Sequence, residues 1–274
     1  MTASEATRPA TAGREQVPPR PTGRSFANVL RSELTKLRSV RSTMWTLLVA
    51  VFFVIGFGIL LGAVVDSKAP GRDFDPTQAS LSGIFLAQLA TGVLGVLVIS
   101  SEYSTGMIRT SLAAVPRRRM LLAAKIITFG VAVFVVTAVA AFIAFFSAQA
   151  LMGSPAATSL GDPGVLRAVI GAPLYLTGIG LLGLALGTML RRTAGAITAL
   201  FGVIFVVPII LNVIPLDWLN HLAKYAPGDA GQSMLSVVHR RSDQLSPLTG
   251  GLVFLAWVVG ALVLATIPLM KRDA

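Results

Sequence analysis

Six long apolar runs limit the folds available to this chain more than any other feature of its sequence. A run of 23 residues, the length of the shorter ones, forms a helix about 34 Å long, which is enough to cross a hydrocarbon core of about 30 Å. Backbone polar groups in lipid must find partners within their own segment, so we expect helices rather than open strands. The sequence therefore predicts an all-α membrane protein with six transmembrane helices, at residues 43–65, 79–101, 121–149, 168–190, 193–215 and 248–270.

The composition agrees with a membrane location. Only 13% of the 274 residues are charged and the mean hydropathy is +0.76, whereas a soluble domain carries about 25% charged residues. The sequence contains no cysteine, which excludes disulfides, thiolate metal ligands and cysteine nucleophiles.

The positive charges predict an orientation. If the N-terminus is cytoplasmic, 17 of the 23 lysines and arginines fall on the inner side, together with 5 of the 12 acidic residues. Basic loops stay in the cytoplasm, so both termini are predicted to be cytoplasmic. Topology and anionic lipid then explain the net charge of +11, and nucleic acid is not needed as a partner.

Two segments precede the first span. Residues 1–23 contain four prolines and almost no large apolar side chains, which predicts a disordered cytoplasmic tail. Residues 24–42 predict a basic amphipathic helix in the inner interface, which either only anchors the first span or also contacts a cytoplasmic partner. Its apolar face is predicted to carry Phe26, Val29, Leu30, Leu34, Leu37 and Val40. Residues 24–272 are predicted to form one six-helix transmembrane domain.

The connection at residues 102–120 is predicted to contain a short helix. Ser104 or Thr105 can cap it, and Pro116 ends it. Three arginines follow before the third span. The segment is either a plain inner loop or a contact point for another protein. Its predicted apolar contacts are Met107, Ile108, Leu112 and Val115.

The outer connection at residues 216–247 is long. Its first ten residues predict an amphipathic helix, with Trp218 and Tyr225 suited to the membrane interface. The Pro227-Gly228 pair is predicted to end this helix. The loop either gates an exit or only covers the interface.

The sequence lacks the motifs of several enzyme classes. It has no G-x-x-x-x-G-K-[ST], no H-E-x-x-H and no G-x-S-x-G, so no phosphate-binding loop and no hydrolase site is predicted. Asp73 and Asp75 could touch a cation in the first outer loop, but solvated loop charge is the favoured interpretation.

The predicted spans contain no aspartate or glutamate, whereas ion-driven carriers usually place an ionisable coupling group there. Polar span residues such as Gln149 either bond between helices or contact a substrate. The pairs Gly58/Gly62 and Gly183/Gly187 predict close helix packing.

Three stretches resemble the integral-membrane subunits of type-2 ATP-binding-cassette (ABC) exporters of the actinobacterial type. They are SELTKLRSVRSTMWTLL (32–48), SSEYSTGMIRTSLAAVPRRRMLLAAK (100–125) and KYAPGDAGQSM (224–234). The resemblance covers residues 24–272. It implies a connecting helix before the first span and a coupling helix between spans two and three, which docks into a separate ATPase. Ala226 departs from the bulkier apolar residue that the family resemblance implies there.

The resemblance also implies roles for particular residues. The coupling region corresponds to Glu102, Tyr103, Thr105, Gly106, Arg109 and Pro116, and the connecting helix to Ser32, Glu33, Lys36, Leu37 and Arg38.

The expected function is therefore that of an exporter permease for a hydrophobic or amphipathic substrate such as a drug, an antibiotic or a lipid. The chain itself is expected to bind no cofactor, because ATP and magnesium would bind the partner ATPase. A second permease chain, identical or a paralogue, would complete the path in a bacterial plasma membrane. Phe52, Gln88 and Asn212 are predicted to line this path. The alternatives are an ion-gradient-driven carrier or channel, a membrane enzyme or non-transporting membrane-anchored partner, and a sensor or immunity complex of the same architecture.

Overall fold

The computed structural model describes residues 25–65, 74–114, 118–153, 156–214, 216–237 and 244–271. The predicted tail at residues 1–23, Pro116 and Asp73 lie outside these ranges. Every regular element within them is helical.

Six of the helical segments are long and apolar enough to cross a membrane, as the sequence predicts. The elements in chain order are α1 (Phe26–Ser39), α2 (Arg41–Val64), α3 (Pro76–Ser80), α4 (Ile84–Ser104), α5 (Met107–Ala114), α6 (Arg118–Met152), α7 (Val165–Leu190), α8 (Thr193–Phe201), a π-helical segment (Gly202–Val206), α9 (Val207–Val213), α10 (Asp217–Ala223), α11 (Pro227–Gln232), a 3₁₀ turn (Ser233–Leu235) and α12 (Pro247–Lys271).

The most buried span is α7, which packs against α4, α6 and α12. Small residues permit its close approach to α4, because a Cβ added to Gly183 would lie 2.3 Å from the carbonyl oxygen of Gly92. A Cβ added to Gly62 on α2 would lie 2.7 Å from the Cα of Ala148 on α6. The predicted close packing at both glycine pairs is therefore confirmed.

The fifth span consists of α8, the π-helical segment and α9. Proline has no backbone N–H, so Pro208 cannot bond to the carbonyl of Ile204 as a regular helix would require. A π turn is one way of accommodating such an interruption. The Ile204 carbonyl is close to α11, since a Cβ added to Gly228 would lie 3.1 Å from its oxygen.

The second span starts later than predicted. Residues 76–80 form the separate helix α3, because the Asp75 carboxylate accepts a hydrogen bond from the Gln78 amide at 3.0 Å and caps this helix. The other Asp75 oxygen accepts from the amide of Val237 at 3.1 Å. Asp75 is buried and joins the residues before α4 to those after α11, so it is not a solvated loop charge.

The predicted helix at the start of the long outer connection is confirmed as α10. However, Pro227 begins a second helix, α11, at the first position, where a proline needs no N–H partner. This helix is buried against α7 and α12: a Cβ added to Gly231 would lie 2.4 Å from the Tyr175 ring. Ala226, just before it, is also buried.

The two ends of the bundle differ in their elements. The end that carries α1 and α5 also contains the end of α4, the beginning of α6, the α7–α8 turn and the end of α12. Two hydrogen bonds join these parts, from Thr193 to the Ser100 hydroxyl at 2.9 Å and from Arg191 to the Pro268 carbonyl at 3.0 Å. We call this the α1 end. The opposite end carries α3, α10 and α11.

Candidate functional site

Four helices meet at the α1 end around a buried group of charged side chains. Glu33 and Lys36 come from α1, Glu102 from the last turn of α4 and Lys125 from the second turn of α6. We call these four residues the charge cluster. It joins the predicted connecting helix to the beginning of the predicted coupling region.

The distances within the charge cluster are those of hydrogen-bonded ion pairs. The Lys125 ammonium lies 2.6 Å from Glu33 Oε2 and 2.8 Å from Glu102 Oε1. The Lys36 ammonium lies 2.7 Å from Glu33 Oε1 and 3.3 Å from Glu102 Oε1. Lys36 also donates to the hydroxyl of Ser111 on α5 at 3.1 Å, so the network reaches all four helices.

Two positive and two negative charges balance in this group, which is the condition under which charges can be buried. Burial opposes ionisation of Glu33, but the ammonium groups of Lys125 and Lys36 outweigh it and hold the pKa of Glu33 below its usual value. Burial also opposes the charged form of Lys36, yet the hydrogen bond to Glu33 and the attraction of Glu102 raise the pKa of Lys36. Both groups therefore remain charged over a wide pH range.

The turn between α4 and α5 depends on Gly106, whose φ of 70° lies in the left-handed region. The hydroxyls of Ser104 and Thr105 both donate to the carbonyl of Ser101, at 3.0 and 2.8 Å. They therefore bond to the end of α4. The residue directly before α5 is Gly106, which has no side chain, so the prediction that Ser104 or Thr105 caps this helix is wrong.

Helix α5 has one buried and one exposed side. Ile108 is buried in a small core with Val29 of α1 and Leu121 and Ala124 of α6. Ser111 lies on the same side. The exposed side carries Met107, Thr110 and Ala113. The side chains of Arg109, Leu112 and Val115 lie outside what the structure describes.

Tyr103 connects the end of α4 to the next connection on the same end of the bundle. The guanidinium carbon of Arg191 lies 5.2 Å from the centre of the Tyr103 ring, a cation–π contact. Arg191 is in the left-handed region with a φ of 56° and links this ring to α12 through Pro268.

The buried side of α1 differs from the predicted apolar face. Val29, Glu33 and Leu37 are buried, at four-residue spacing, whereas Phe26 and Leu34 are 40% and 42% exposed. The difference arises because Glu33, whose carboxylate is paired with Lys125, occupies a position on the side of α1 that packs against the rest of the protein. Two further predicted connecting-helix residues, Ser32 and Arg38, are exposed.

Of the three predicted path residues, the two whose side chains the structure describes do not share a surface. Phe52 on α2 is 68% exposed. Gln88 on α4 is fully buried, accepts a hydrogen bond from the Tyr175 hydroxyl and donates to the Phe85 carbonyl at 3.0 Å. Asn212 lies in α9, and its side chain is outside the described part of the chain. Their role in a path stays a prediction.

Gln149, named from sequence as either a packing or a substrate residue, bonds between elements. Its amide nitrogen donates to the Ser80 hydroxyl at 2.9 Å, and its oxygen accepts from the Thr158 amide at 2.8 Å. Within the described residues, no group of three or more histidine, aspartate or glutamate side chains could hold a metal ion.

Sequence reasoning missed two members of the site, Lys125 and Ser111. Lys125 lies within the predicted third span, where the sequence alone indicates only a positive charge near the inner side. A charged lysine near the end of an apolar helix needs a partner. Glu33 and Glu102 are predicted at the same level of the membrane, so this combination indicates an ion pair.

The fold and the site together define a multi-pass membrane protein in which short helices at one end are bonded to the spans. A model of the family described as ABC-2 family transporter protein matches residues 29–216. The chain belongs to this family. Its members are typically non-catalytic membrane subunits that work with an ABC ATPase. No curated protein matches the chain significantly.

Proposed function

We propose that this chain forms the translocation path of an ATP-driven exporter, and that a separate ATPase binds at the α1 end, on the exposed side of α5. The observation that carries this proposal is the charge cluster. It bonds α1, α4, α5 and α6 to one another, so a force applied to α5 reaches two spans directly.

The sequence of events follows from these contacts. ATP binding would bring two ATPase subunits together and displace α5. Ser111 and Ile108 would transmit this displacement to α1 and α6, and Glu102 would transmit it to α4. The spans would then change between states open to opposite sides of the membrane. ATP and magnesium would be bound by the ATPase, and this chain would break no bond.

The same proposal includes an orientation and an assembly. The α1 end would face the cytoplasm of a bacterial plasma membrane, because the basic segments lie there. Two permease chains, identical or paralogous, would enclose the path. The substrate would be hydrophobic or amphipathic and would be exported, as the resemblance to ABC exporters implies.

An ion-gradient-driven carrier is less well supported. Glu102 is the only carboxylate within the six described spans, and it lies in the last turn of α4. It is bonded to Lys125 and Lys36. A carboxylate that couples transport to an ion must release and rebind its partner, whereas this one lies in a network that holds four helices together.

The experiment places a bulky side chain on the exposed side of α5, where it disturbs no buried contact. The tagged chain is purified in mild detergent with Ala113→Trp, and with Ala157→Trp as the control. Ala157 is also exposed but lies in the connection between α6 and α7, at the opposite end. Co-purified proteins are identified by mass spectrometry, and ATP hydrolysis is measured.

The expected result is an ABC ATPase bound to the wild type and to Ala157→Trp, and its loss, about tenfold or more, in Ala113→Trp. Substitution of Glu102 is a poorer test, because it removes a buried ion pair and so confuses folding with docking. If Ala113→Trp retains the ATPase as well as the wild type does, docking on α5 is wrong.

A further inference from the structure

An apolar groove with a volume of about 570 Å³ runs along α1. Its other walls are the first turns of α2, including Met44 and Leu47, most residues of α6 between Ile127 and Val136, and Leu94 of α4. These wall segments belong to spans, so the groove lies at the level where the α1 end of the bundle meets the membrane.

Two arginines line the rim of this groove. Arg31 and Arg38 are seven positions apart on α1, so they share one face, about 10 Å apart along the helix axis. Leu34 lies between them on this face and is 42% exposed. Both arginines are exposed, and within the described part of the chain neither forms an ion pair.

The groove contains no opposing acidic group. Apart from the two arginines, its lining residues are apolar or threonine. Glu33, the nearest carboxylate on α1, is turned into the charge cluster and paired there. The rim is therefore positively charged and the interior apolar.

A ligand that matches this surface needs an anionic head and a long apolar tail. Basic pockets between membrane helices bind anionic lipid head groups, and burial of an acyl chain contributes favourable free energy for each methylene group. We propose that the groove binds one anionic phospholipid from the membrane leaflet at the α1 end. Its phosphate lies at Arg31 and Arg38, and one acyl chain lies between α1, α2 and α6.

The bound lipid would help to hold α1 in place. Leu37 and Thr43 line both this groove and a second cavity, about 330 Å³, beside the charge cluster. A lipid in the groove therefore packs against the helix whose other side carries Glu33 and Lys36. This inference does not depend on transport or on an ATPase.

The test measures lipid retention by the purified full-length chain. The protein is equilibrated in detergent with equal amounts of phosphatidylglycerol and phosphatidylcholine, and bound lipids are counted by native mass spectrometry. The variant is Arg31→Gln/Arg38→Gln. The control is Arg41→Gln/Arg192→Gln, which removes the same charge from exposed residues at the α1 end that do not line the groove.

The wild type and the control are expected to retain one phosphatidylglycerol in preference to phosphatidylcholine. Loss of both rim arginines is expected to weaken phosphatidylglycerol retention about thirtyfold. Equal retention of the two lipids by the wild type, no retained lipid, or wild-type retention in Arg31→Gln/Arg38→Gln would each overturn the proposal.

A second pair of variants tests the apolar part of the site. Ala132→Phe places a ring in the groove and leaves both arginines, whereas Ala138→Phe places the same ring on α6 outside the groove. Ala132→Phe is expected to lose phosphatidylglycerol and Ala138→Phe to keep it. If Ala132→Phe keeps the lipid, the acyl chain does not lie in this groove and the assignment is wrong.

Discussion

The ammonium group of Lys125 contacts both carboxylates of the charge cluster. The Lys125 side chain is 4% exposed, whereas the Lys36 side chain is 30% exposed. In Lys125→Met, two buried carboxylates would lose their main partner. Removal of one member of a buried ion pair typically costs about 3–5 kcal/mol of stability. We expect a clearly lower melting temperature, measured by the loss of the monodisperse peak of the detergent-solubilised chain after heating.

Lys36→Met is the matched control for this measurement. Its ammonium is partly hydrated and Lys125 would still neutralise part of the charge, so we expect a smaller loss of stability, about 1–2 kcal/mol. Equal losses of stability in the two variants would contradict the expectation that Lys125 is the main partner of both carboxylates.

The pKa shifts at the residue scale predict how stability changes with pH. The pKa of Glu33 is lowered, so its contribution to stability is complete above the ordinary glutamate value of about 4.3 and is lost as the pH falls through the lowered value. The pKa of Lys36 is raised, so its contribution is complete below the ordinary lysine value of about 10.4 and is lost as the pH rises through the raised value. Melting temperatures between pH 3 and 8 should fall at the acid end more steeply for the wild type than for Glu33→Gln.

These residue contacts were only partly predictable from the sequence. The resemblance places Glu33 and Lys36 in the connecting helix and Glu102 in the coupling region, but it does not predict the bonds between them. Lys125 lies 92 positions from Glu33 and 23 from Glu102. Periodicity describes one helix at a time, so it does not show which residues of different helices meet.

At the scale of elements, the contact between α4 and α7 depends on residues without side chains. A Cβ added to Gly95 would lie 1.8 Å from the carbonyl oxygen of Gly180, so Gly95→Ala must force the helices apart. Overpacking of this kind costs about 1–3 kcal/mol. Gly130→Ala on α6 is the control, because its added Cβ would lie 3.8 Å from its nearest neighbour. The melting temperature should fall only for Gly95→Ala.

The elements themselves were largely predictable, because a long apolar run in lipid has few alternatives to a helix. The errors fall where short-range chemistry interrupts a run. Asp75 caps α3 and separates it from α4, and Pro227 begins α11 although a proline followed by glycine is also typical of a turn. In the fifth span, the irregular segment lies just before Pro208, which removes one helical hydrogen bond.

For the whole molecule, the family match and the six spans define a multi-pass ABC-2 protein, whereas its orientation stays a prediction from charge. The positive-inside rule predicts the α1 end to be cytoplasmic. The exposed sides of α5 and of the connection between α6 and α7 lie at opposite ends of the bundle. They should therefore be accessible from opposite sides of the membrane.

The absence of cysteine from the chain allows this orientation to be measured without background. Ala113→Cys and Ala157→Cys each introduce one exposed thiol, on α5 and in the connection between α6 and α7. A membrane-impermeant maleimide applied to intact spheroplasts should label Ala157→Cys, and should label Ala113→Cys only after permeabilisation, in cells that lack the proposed ATPase. The reverse pattern would put α5 outside the cell, where no ATP-driven subunit could reach it, and both the orientation and the proposed docking would fail together.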